Sequence, residues 1–365
     1  MSLYPELDTP AVLVDLAVLE ANLRRMADRA INAHVRLRPH AKTHKSVWIA
    51  ARQTAHGAKG FTVATLGEAE VLADGGVSDI LIAYPIVGES KLERLRALAQ
   101  RLRIIVALDD IRVARDLSRL GRTLDRPVEV MIEVDSGLHR CGRPPGIESA
   151  DLAEAVARLP GLQLLGLLTH AGHAYRARTS AEREQIALDE ARALVETADV
   201  LEQRRMPTPE LSVGSTPTAA SIDVVTRAFP SITEMRPGTY VFNDVNQLVM
   251  GVAKEPDCAL RVLTSVISRP AMDRMVIDAG TKTLAADSAL GGGFGRVAGH
   301  PELSIETLSE EHGVVRIPHS STWKIGERLE VIPNHACVVP NLTDQMFGIQ
   351  HGGVSRTIAV EARSR

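Results

Sequence analysis

Aromatic residues are scarce in this chain: phenylalanine, tryptophan and tyrosine together make up 3% of its 365 residues. Proteins that bind single-stranded nucleic acid stack the bases on aromatic side chains, so this scarcity argues against such a surface. The formal net charge of −3 also offers no electrostatic attraction to nucleic acid or to an anionic membrane. We therefore expect neither nucleic acid nor a membrane as a partner.

Long apolar segments and cysteines are also few. No uninterrupted apolar run reaches the roughly 20 residues that span a bilayer, and the N-terminal segment lacks the charged start and apolar stretch of a signal peptide. The three cysteines, Cys141, Cys258 and Cys337, are an odd and sparse set, which is typical of a reducing compartment. With 45% hydrophobic residues to form a large core, the sequence predicts a cytoplasmic globular protein.

The first two thirds of the chain alternate short apolar runs with amphipathic segments. The strand candidates are Val35–Ala41, Gly60–Ala64, Ile80–Tyr84, Ile104–Leu108, Val128–Val134, Leu162–His170, Leu211–Val213 and Ile232–Met235. Helical spacing is found at Leu19–Ala30, Leu66–Asp74, Lys91–Arg101, Ala150–Leu159 and Glu182–Arg204. About eight such units predict a (β/α)₈ barrel, an α/β fold with a typical length of about 250 residues. An open doubly wound sheet is the alternative, but no G-x-G-x-x-G follows the first strand.

The pattern changes after about Asn246. Short strand candidates, divided by glycine, proline and aspartate turns, stand at Val262–Ile267, Met275–Ile277, Leu303–Leu308, Val314–Arg316, Arg328–Ile332 and Ser355–Glu361. Helical spacing nearly vanishes, which indicates a separate β domain. The sequence thus predicts a barrel at residues 16–245 and a C-terminal β domain at residues 246–365.

Basic residues are concentrated where the first barrel strand is predicted to end, in the stretch R-P-H-A-K-T-H-K at Arg38–Lys45. The C-terminal ends of barrel strands are where this fold keeps its chemistry. A lysine at such a position is placed for Schiff-base formation with a carbonyl compound. The alternative is a basic turn on the surface.

Other predicted strand ends carry polar residues too: Glu133–Gly142, Thr169–Tyr175, Gly214–Thr218 and Arg236–Tyr240. In barrels, the loops after strands seven and eight often bind phosphate through backbone N–H groups. The small and hydroxyl-bearing residues of Gly214-Ser215-Thr216 suit that use, although a Ser/Thr helix cap without a ligand explains them as well.

In the predicted β domain, His335 and Cys337 stand two residues apart, so on an extended strand both side chains point to the same face. This spacing suits two ligands of one divalent metal, and imidazole with thiolate favours zinc over magnesium or manganese. Two ligands do not complete a structural zinc site. Either further ligands come from elsewhere in the chain, or positions stay open for water and substrate.

Taken together, these motifs resemble the fold-type III pyridoxal-phosphate enzymes of the group that contains D-threonine aldolase and D-serine dehydratase. The likeness covers nearly the whole chain. Its motifs are D-T-P at Asp8–Pro10, R-P-H-A-K-T-H-K at Arg38–Lys45, T-H-A-G at Thr169–Gly172, G-S-T-P-T at Gly214–Thr218, R-P-G-T-Y at Arg236–Tyr240, E-H-G at Glu311–Gly313 and P-N-H-A-C at Pro333–Cys337.

The resemblance implies a role for each candidate residue. Lys42 carries pyridoxal 5′-phosphate, while Arg140 and Tyr175 line the cofactor. The phosphate is held by Gly214, Ser215 and Thr216 together with Gly238, Thr239 and Tyr240. His335 and Cys337 bind one divalent metal ion, for which Zn²⁺ is the first choice and Mn²⁺ the second. The resemblance also implies an alanine racemase-like fold in which residues 1–15 join the β domain, and a homodimer whose sites are shared between chains.

The implied activity is cleavage of D-β-hydroxy-α-amino acids, and two routes stay open. Asn341–Asp344 favours a D-threonine aldolase, which yields glycine and an aldehyde. Cys337 and T-H-A-G favour a D-serine or D-3-hydroxyaspartate dehydratase, which yields ammonia and a 2-oxo acid. The histidine of the aldolase Y-H-G segment falls at Ala171, so His170 or His173 takes its place, beside Lys42 and Arg140 as catalytic residues. We place the aldolase slightly ahead; an amino-acid racemase or a non-catalytic cofactor carrier are further alternatives.

Overall fold

The computed structural model describes residues 3–363, which form two compact units. One unit contains Arg25–Lys42 and Ala50–Gly238, and the other contains the chain up to Arg24, Thr43–Ile49 and the chain from Thr239 onward. The first elements in the chain are a strand, β1 (Ala11–Asp15), and a helix, α1 (Leu16–Asn32). The predicted domain limits at residues 16–245 and 246–365 stay a prediction.

The first unit is built on a parallel sheet of eight strands in the described part of the chain. They are β2 (Arg36–Leu37), β3 (Phe61–Val63), β4 (Asp79–Ile82), β5 (Arg103–Leu108), β6 (Val128–Glu133), β7 (Leu162–Leu168), β8 (Glu210–Val213) and β9 (Glu234–Met235). Their order is β2-β9-β8-β7-β6-β5-β4-β3. A parallel bridge between His40 and Thr62 links the two edge strands, so the sheet closes as the barrel fold requires.

Helices connect these strands. Those that precede β9 are α2 (Val47–Ala55), α3 (Leu66–Asp74), α4 (Glu89–Arg101), α5 (Ile111–Gly121), α6 (Ile147–Ala157), α7 (Ser180–Gln203), α8 (Thr216–Ala219) and α9 (Ile222–Ala228). Strands covered on both faces are hydrophobic without alternation. Ile80, Leu81 and Ile82 on β4 are all fully buried, which is why the apolar runs marked the barrel strands so clearly.

Charged side chains form a hydrogen-bonded chain within the barrel unit. Glu234 on β9 accepts hydrogen bonds from Arg38 Nε and from the Ser212 hydroxyl, both at 2.8 Å, and Arg38 also pairs with Asp79 on β4. Arg38 and Glu234 are each 4% exposed. Burial acts to raise the pKa of Glu234, but the charge of Arg38 outweighs it and the pKa is lowered. The pair stays ionised in the interior because each charge has its partner.

The second unit is a mixed sheet of nine strands within the described residues. Besides β1 it contains β10 (Leu260–Ala271), β11 (Arg274–Ile277), β12 (Arg296–Val297), β13 (Ser304–Leu308), β14 (Gly313–Arg316), β15 (Arg328–Ile332), β16 (Gln345–Gln350) and β17 (Gly353–Ala359). Two short helices, α10 (Val245–Val249) and α11 (Thr281–Leu284), lie between its segments. β1 pairs antiparallel with β10 and parallel with β16, so the N-terminal strand is a member of this sheet.

The structure confirms the predicted fold class, with shifts at the barrel strand ends. The predicted strand Val35–Ala41 is regular only at Arg36–Leu37, and a 3₁₀ helix at Ala41–Thr43 follows it. Pro39 removes one backbone donor there, which interrupts the strand ladder. Further 3₁₀ helices stand at Gly172–Arg176, Thr239–Val241, Glu255–Asp257 and Val339–Leu342. None of the described helices is long and apolar enough to cross a membrane.

We predict that Arg38→Leu lowers the free energy of unfolding by about 3–5 kcal/mol, because it removes the buried cation that is hydrogen-bonded to the Glu234 carboxylate and leaves only the half-exposed Arg36, at 3.6 Å, as an ion-pair partner. Urea titration followed by circular dichroism measures the loss. The control is Arg227→Leu, which removes the exposed pair with Asp223 and should cost less than about 1 kcal/mol. Equal losses in the two variants would contradict the argument.

Candidate active site

A cavity of about 330 Å³ opens where the barrel strands end. Its walls come from the carboxyl ends of seven strands or from the loops that follow them. They comprise His40, Lys42, Ala64, Ala83, Tyr84, Pro85, Glu133, Arg140, Cys141, Leu168, His170, Gly214 and Arg236. Convergence of polar side chains from different strands at this end of a barrel marks a functional site.

Lys42 lies in the 3₁₀ helix that directly follows β2, and the bend at this position puts the lysine at the wall of the cavity. His40, two residues earlier, lines the same cavity. Burial lowers the pKa of His40 well below its usual range, and the charges of Lys42 and His170 lower it further. His40 is therefore a neutral imidazole beside the amine.

Positive charge dominates the cavity wall. Arg140 follows β6 and is exposed, while Arg236 follows β9 and is 5% exposed. The Arg236 guanidinium is held in place by two hydrogen bonds, which it donates to the Ser212 hydroxyl and to the Thr169 carbonyl. Glu133, at the end of β6, is the single carboxylate among the lining residues, and burial raises its pKa although Arg140 and Arg236 oppose this. Such a wall suits an anionic ligand.

His170 is held by a hydrogen bond of 2.7 Å between its Nδ1 and the carbonyl oxygen of Gly214. Since a carbonyl can only accept, Nδ1 carries the proton and Nε2 has a free lone pair. Burial lowers the pKa of His170 to about 3, and the charge of Lys42 adds to the effect. The ring is therefore neutral at physiological pH, and its Nε2 can accept a proton.

His173 differs from His170, although both were predicted as catalytic candidates. Its ring packs against Gly137, and it is not among the residues that line the cavity. Its Nδ1 is buried without a hydrogen-bond partner, and burial lowers the pKa of the ring. Of the two histidines, His170 is the one that reaches the cavity.

The loop Gly214–Thr218 follows β8 and caps the short helix α8. The Gly214 N–H donates to Glu190 Oε1 at 3.0 Å, and the Ser215 N–H donates to the Thr218 hydroxyl at 3.1 Å. These two predicted phosphate donors thus already have partners inside the chain. A Cβ at Gly214 would lie 2.6 Å from the backbone nitrogen of Arg236, which directly follows β9. This close approach of the two backbones requires glycine at position 214.

The remaining predicted cofactor residues lie in different places. Tyr175 is half-buried in the 3₁₀ helix Gly172–Arg176, and Gly238 ends the barrel unit. Thr239 and Tyr240 are buried in a 3₁₀ helix of the other unit, Thr239–Val241. Their roles toward the phosphate stay a prediction.

The cavity residues fit pyridoxal phosphate. The cofactor brings an aldehyde, a phenolate and a phosphate, and the cavity offers an amine in Lys42 and two guanidinium groups in Arg140 and Arg236. The carboxylate of Glu133 and the neutral rings of His40 and His170 complete its polar lining.

In the other unit, His335 and Cys337 follow β15 and interact with each other. His335 Nδ1 lies 3.4 Å from Asp244 Oδ2, and the Asp244 carboxylate is fixed by the N–H groups of Gln247 and Ala336. Burial lowers the pKa of His335, but the negative charges of Cys337 and Asp244 outweigh it and raise the pKa to about 11. A carboxylate that holds Nδ1 orients the opposite nitrogen, as in many metal-binding histidines.

The Cys337 sulfur also lies 3.1 Å from the Thr43 hydroxyl and 3.4 Å from that of Thr239. Among residues 3–363 no group of three or more histidine, cysteine or acidic side chains is arranged to hold a metal. The nitrogen and sulfur donors suit a divalent metal such as zinc; whether further protein ligands complete the site or positions stay open, the two alternatives that the sequence allows, stays a prediction.

Sequence reasoning missed several residues that the structure brings to the site. His40, Glu133, Cys141 and Arg236 all line the cavity, and each stands in a motif already singled out, so position at a strand end was the available signal. Glu190, which holds the Gly214 loop, lies inside helix α7. Its only signal was a charge on the apolar face of an amphipathic helix.

Comparison with known proteins agrees with this geometry. The family model described as alanine racemase, N-terminal domain, matches residues 14–245, and the model described as a putative serine dehydratase domain matches residues 259–349. A lysine-bearing cavity in a barrel followed by this second domain defines the class of fold-type III pyridoxal-phosphate enzymes. The chain belongs to the family of this class that includes D-threonine aldolase and D-serine dehydratase. This confirms the resemblance and the prediction of a cofactor-dependent lyase family.

Similar proteins cover nearly the full length. A D-threonine aldolase from Arthrobacter sp. is 34% identical over 98% of this chain and 93% of its own length. A D-threo-3-hydroxyaspartate dehydratase from Delftia sp. (strain HT23) is 34% identical over 91% of each protein. The crystal structure of a D-threonine aldolase from Filomicrobium marinum matches with a TM-score of 0.91 and 33% identity, covering 100% of this chain and 98% of that chain.

We predict that Lys42→Ala abolishes the visible absorbance of lysine-bound pyridoxal phosphate, because the amine that holds the carbonyl is gone. Absorption spectra of the purified protein with added cofactor measure this. Lys45→Ala is the matched control, because Lys45 and the Ala362 carbonyl that accepts from its Nζ both belong to the other unit. This variant should leave the band unchanged. A band that survives Lys42→Ala and disappears with Lys45→Ala would reassign the lysine.

Proposed function

We propose that this protein is a pyridoxal-phosphate- and divalent-metal-dependent lyase that cleaves D-β-hydroxy-α-amino acids into glycine and an aldehyde. The observation that carries the proposal is the cavity that joins Lys42 to two arginines and two neutral histidines. The aldolase that is 34% identical over nearly the whole chain supports the choice of reaction.

Four cavity residues, Lys42, Arg140, Arg236 and His170, have a defined task in this reaction. Lys42 supplies the amine that holds the cofactor, and Arg140 and Arg236 supply positive charge for its anionic groups and for the substrate carboxylate. Pyridoxal phosphate, when bound, supplies an electron sink for bond cleavage beside the amino-bearing carbon. His170 Nε2 is the acceptor for the proton of the substrate hydroxyl, because its ring is neutral and its Nδ1–H is engaged with Gly214.

We assign the metal to His335 and Cys337, with Zn²⁺ as the first choice and Mn²⁺ as the second. A metal there would supply a Lewis acid for the substrate hydroxyl. The support is the donor pair itself and the Asp244 carboxylate behind His335. In addition, a solved structure of a D-threo-3-hydroxyaspartate dehydratase, 32% identical with a TM-score of 0.89, is that of a cysteine-to-alanine mutant in the metal-free form.

The second candidate function is β-elimination by a D-serine or D-3-hydroxyaspartate dehydratase. The dehydratase that is 34% identical favours it, as does Cys337 in the sequence motif. Ala171, where the aldolase motif has its histidine, is fully buried and donates its N–H to Glu190, so a base must come from a neighbouring residue. A racemase has weaker support, because an alanine racemase structure matches at 14% identity and shares the fold alone.

The family resemblance further implies a homodimer in which each active site is completed by the partner chain. We include this assembly and a cytoplasmic location in the proposal, since the net charge and the sparse cysteines are consistent with the latter.

Product analysis with D-threonine, D-serine and D-3-hydroxyaspartate, in the presence of pyridoxal phosphate and Zn²⁺ or Mn²⁺, tests the reaction. We expect glycine and an aldehyde from D-threonine, because cleavage follows removal of the hydroxyl proton by His170. The L-enantiomers serve as controls and should not react. Ammonia with a 2-oxo acid as the main products would overturn the aldolase proposal and establish the dehydratase.

We predict that Cys337→Ala lowers both metal content and activity, with a loss of about 10- to 100-fold or more in metal affinity, because one of two protein ligands is removed. Metal analysis and turnover after dialysis against a chelator measure the effect. Cys258→Ala is the control for loss of a thiol, since this buried cysteine packs in an apolar cluster with Val245, Ala289 and Ile332 and is not one of the proposed ligands, so it should change neither quantity. Full activity of the chelated wild-type protein would remove the metal from the reaction.

A further inference from the structure

Helix α7 carries a carboxylate in the protein interior. Glu190 is 1% exposed and shares the buried face of the helix with Ala187, Ala191 and Leu194. A carboxylate without access to water costs free energy unless hydrogen bonds compensate it. The hydrogen-bond partners of the Glu190 carboxylate therefore indicate its role.

Those partners come from two loops that follow neighbouring strands. One oxygen, Glu190 Oε1, accepts the N–H of Ala171 after β7 and the N–H of Gly214 after β8, each at 3.0 Å. The side chain of Thr218 provides a further hydrogen bond, and the positive charge of Arg236 acts on the carboxyl group. Burial raises the pKa of Glu190, but a protonated carboxyl group keeps Oε1 as an acceptor, so the two N–H bonds persist in either state.

The same two loops are joined a second time at the cavity wall. The Gly214 carbonyl accepts the Nδ1–H of His170, which immediately precedes Ala171 in the chain. Glu190, Gly214, His170 and Ala171 thus form a closed ring of interactions. Glu190 accepts the N–H of Gly214 and the N–H of Ala171, and Ala171 is bonded to His170 along the chain. The position of the Gly214 carbonyl decides which ring nitrogen of His170 is protonated.

We propose that Glu190 is a positioning residue: by anchoring both loops it fixes His170 as the tautomer with a proton on Nδ1 and a free Nε2 facing the substrate. The anchoring itself rests on geometry alone, whereas its catalytic value rests on the proposed function of His170 as proton acceptor. Residues that hold a catalytic group in place commonly change rates by about 10- to 100-fold when removed.

The immediate environment of His170 makes this control necessary. The positive charges of Lys42, Arg140 and Arg236 all act on its ring and lower its pKa, while Glu133 is the carboxylate among the residues that line the same cavity. The adjacent Gly172 leaves little room, since a Cβ there would lie 3.2 Å from His170 Nε2. A ring released from Gly214 would lose the one partner that holds its Nδ1 proton.

The test compares Glu190→Met with Glu190→Gln in the full-length protein loaded with pyridoxal phosphate. Glutamine keeps a carbonyl oxygen for the two N–H groups, whereas methionine has a similar shape without an acceptor. Nitrogen NMR of the histidine rings, with the His170 signals assigned through His170→Gln, reports the tautomer directly. We expect a single Nδ1–H tautomer in the wild type and in Glu190→Gln, and a mixture of tautomers in Glu190→Met with kcat reduced about 10- to 100-fold.

Thr197→Val is the matched control on the same helix. The Thr197 hydroxyl accepts the Gly146 N–H and donates to Ala193, so the variant loses buried hydrogen bonds that do not involve the two loops. It should lower the melting temperature while leaving the His170 signals and kcat unchanged. If Glu190→Met fails to fold, Glu190→Asp withdraws the oxygen from both N–H groups while keeping the charge, and it should also mix the tautomers.

Two outcomes would overturn the proposal. One is a single His170 tautomer in the folded Glu190→Met or Glu190→Asp protein; the other is a Glu190→Gln protein that behaves like Glu190→Met, which would assign the effect to charge. Absence of lyase activity in the wild type would refute the proposed function instead, and the NMR result would still decide whether Glu190 fixes the ring.

Discussion

The barrel depends on the hydrogen-bonded chain that neutralises the charges in its interior. It runs from Asp79 through Arg38 to Glu234, and from there through Ser212 to Arg236. Each buried charge in the chain has an opposite charge or a hydroxyl as its neighbour, which is the condition for keeping ions out of water. The same bonds fix the Arg236 guanidinium at the cavity wall, so the interior that supports the fold also sets the charge of the site.

A wall of cations has a consequence for the histidines that share it. Burial and the neighbouring positive charges keep His40 and His170 neutral, although free imidazole is partly protonated near neutral pH. A neutral ring accepts a proton at its unprotonated nitrogen, and the Gly214 carbonyl, by holding the Nδ1 proton of His170, leaves Nε2 as that nitrogen. A cationic wall and a neutral imidazole with an unprotonated nitrogen are therefore compatible in one cavity.

The sequence predicted those features that follow from local pattern. Buried strands such as β4 are apolar throughout, so the barrel could be recognised, and Lys42 could be placed at a strand end by its position alone. The sequence could not predict the direction of the Arg38 side chain, because a shift of one residue in strand register decides whether that side chain lies in the barrel interior or in the loop. Glu190 was also hidden, since its partners are backbone N–H groups of two loops that no side-chain motif marks.

The choice between aldol cleavage and elimination depends on which proton is taken from the same substrate. Cleavage requires a base at the hydroxyl, whereas elimination requires one at the α-carbon and a hydroxyl that leaves. In this chain Ala171 is buried and its methyl side chain cannot accept a proton, and His173 is not among the residues that line the cavity. His40 and His170 are the neutral imidazoles at the cavity wall, and the proposed function gives the hydroxyl proton to His170, whose Nδ1 proton is held by Gly214.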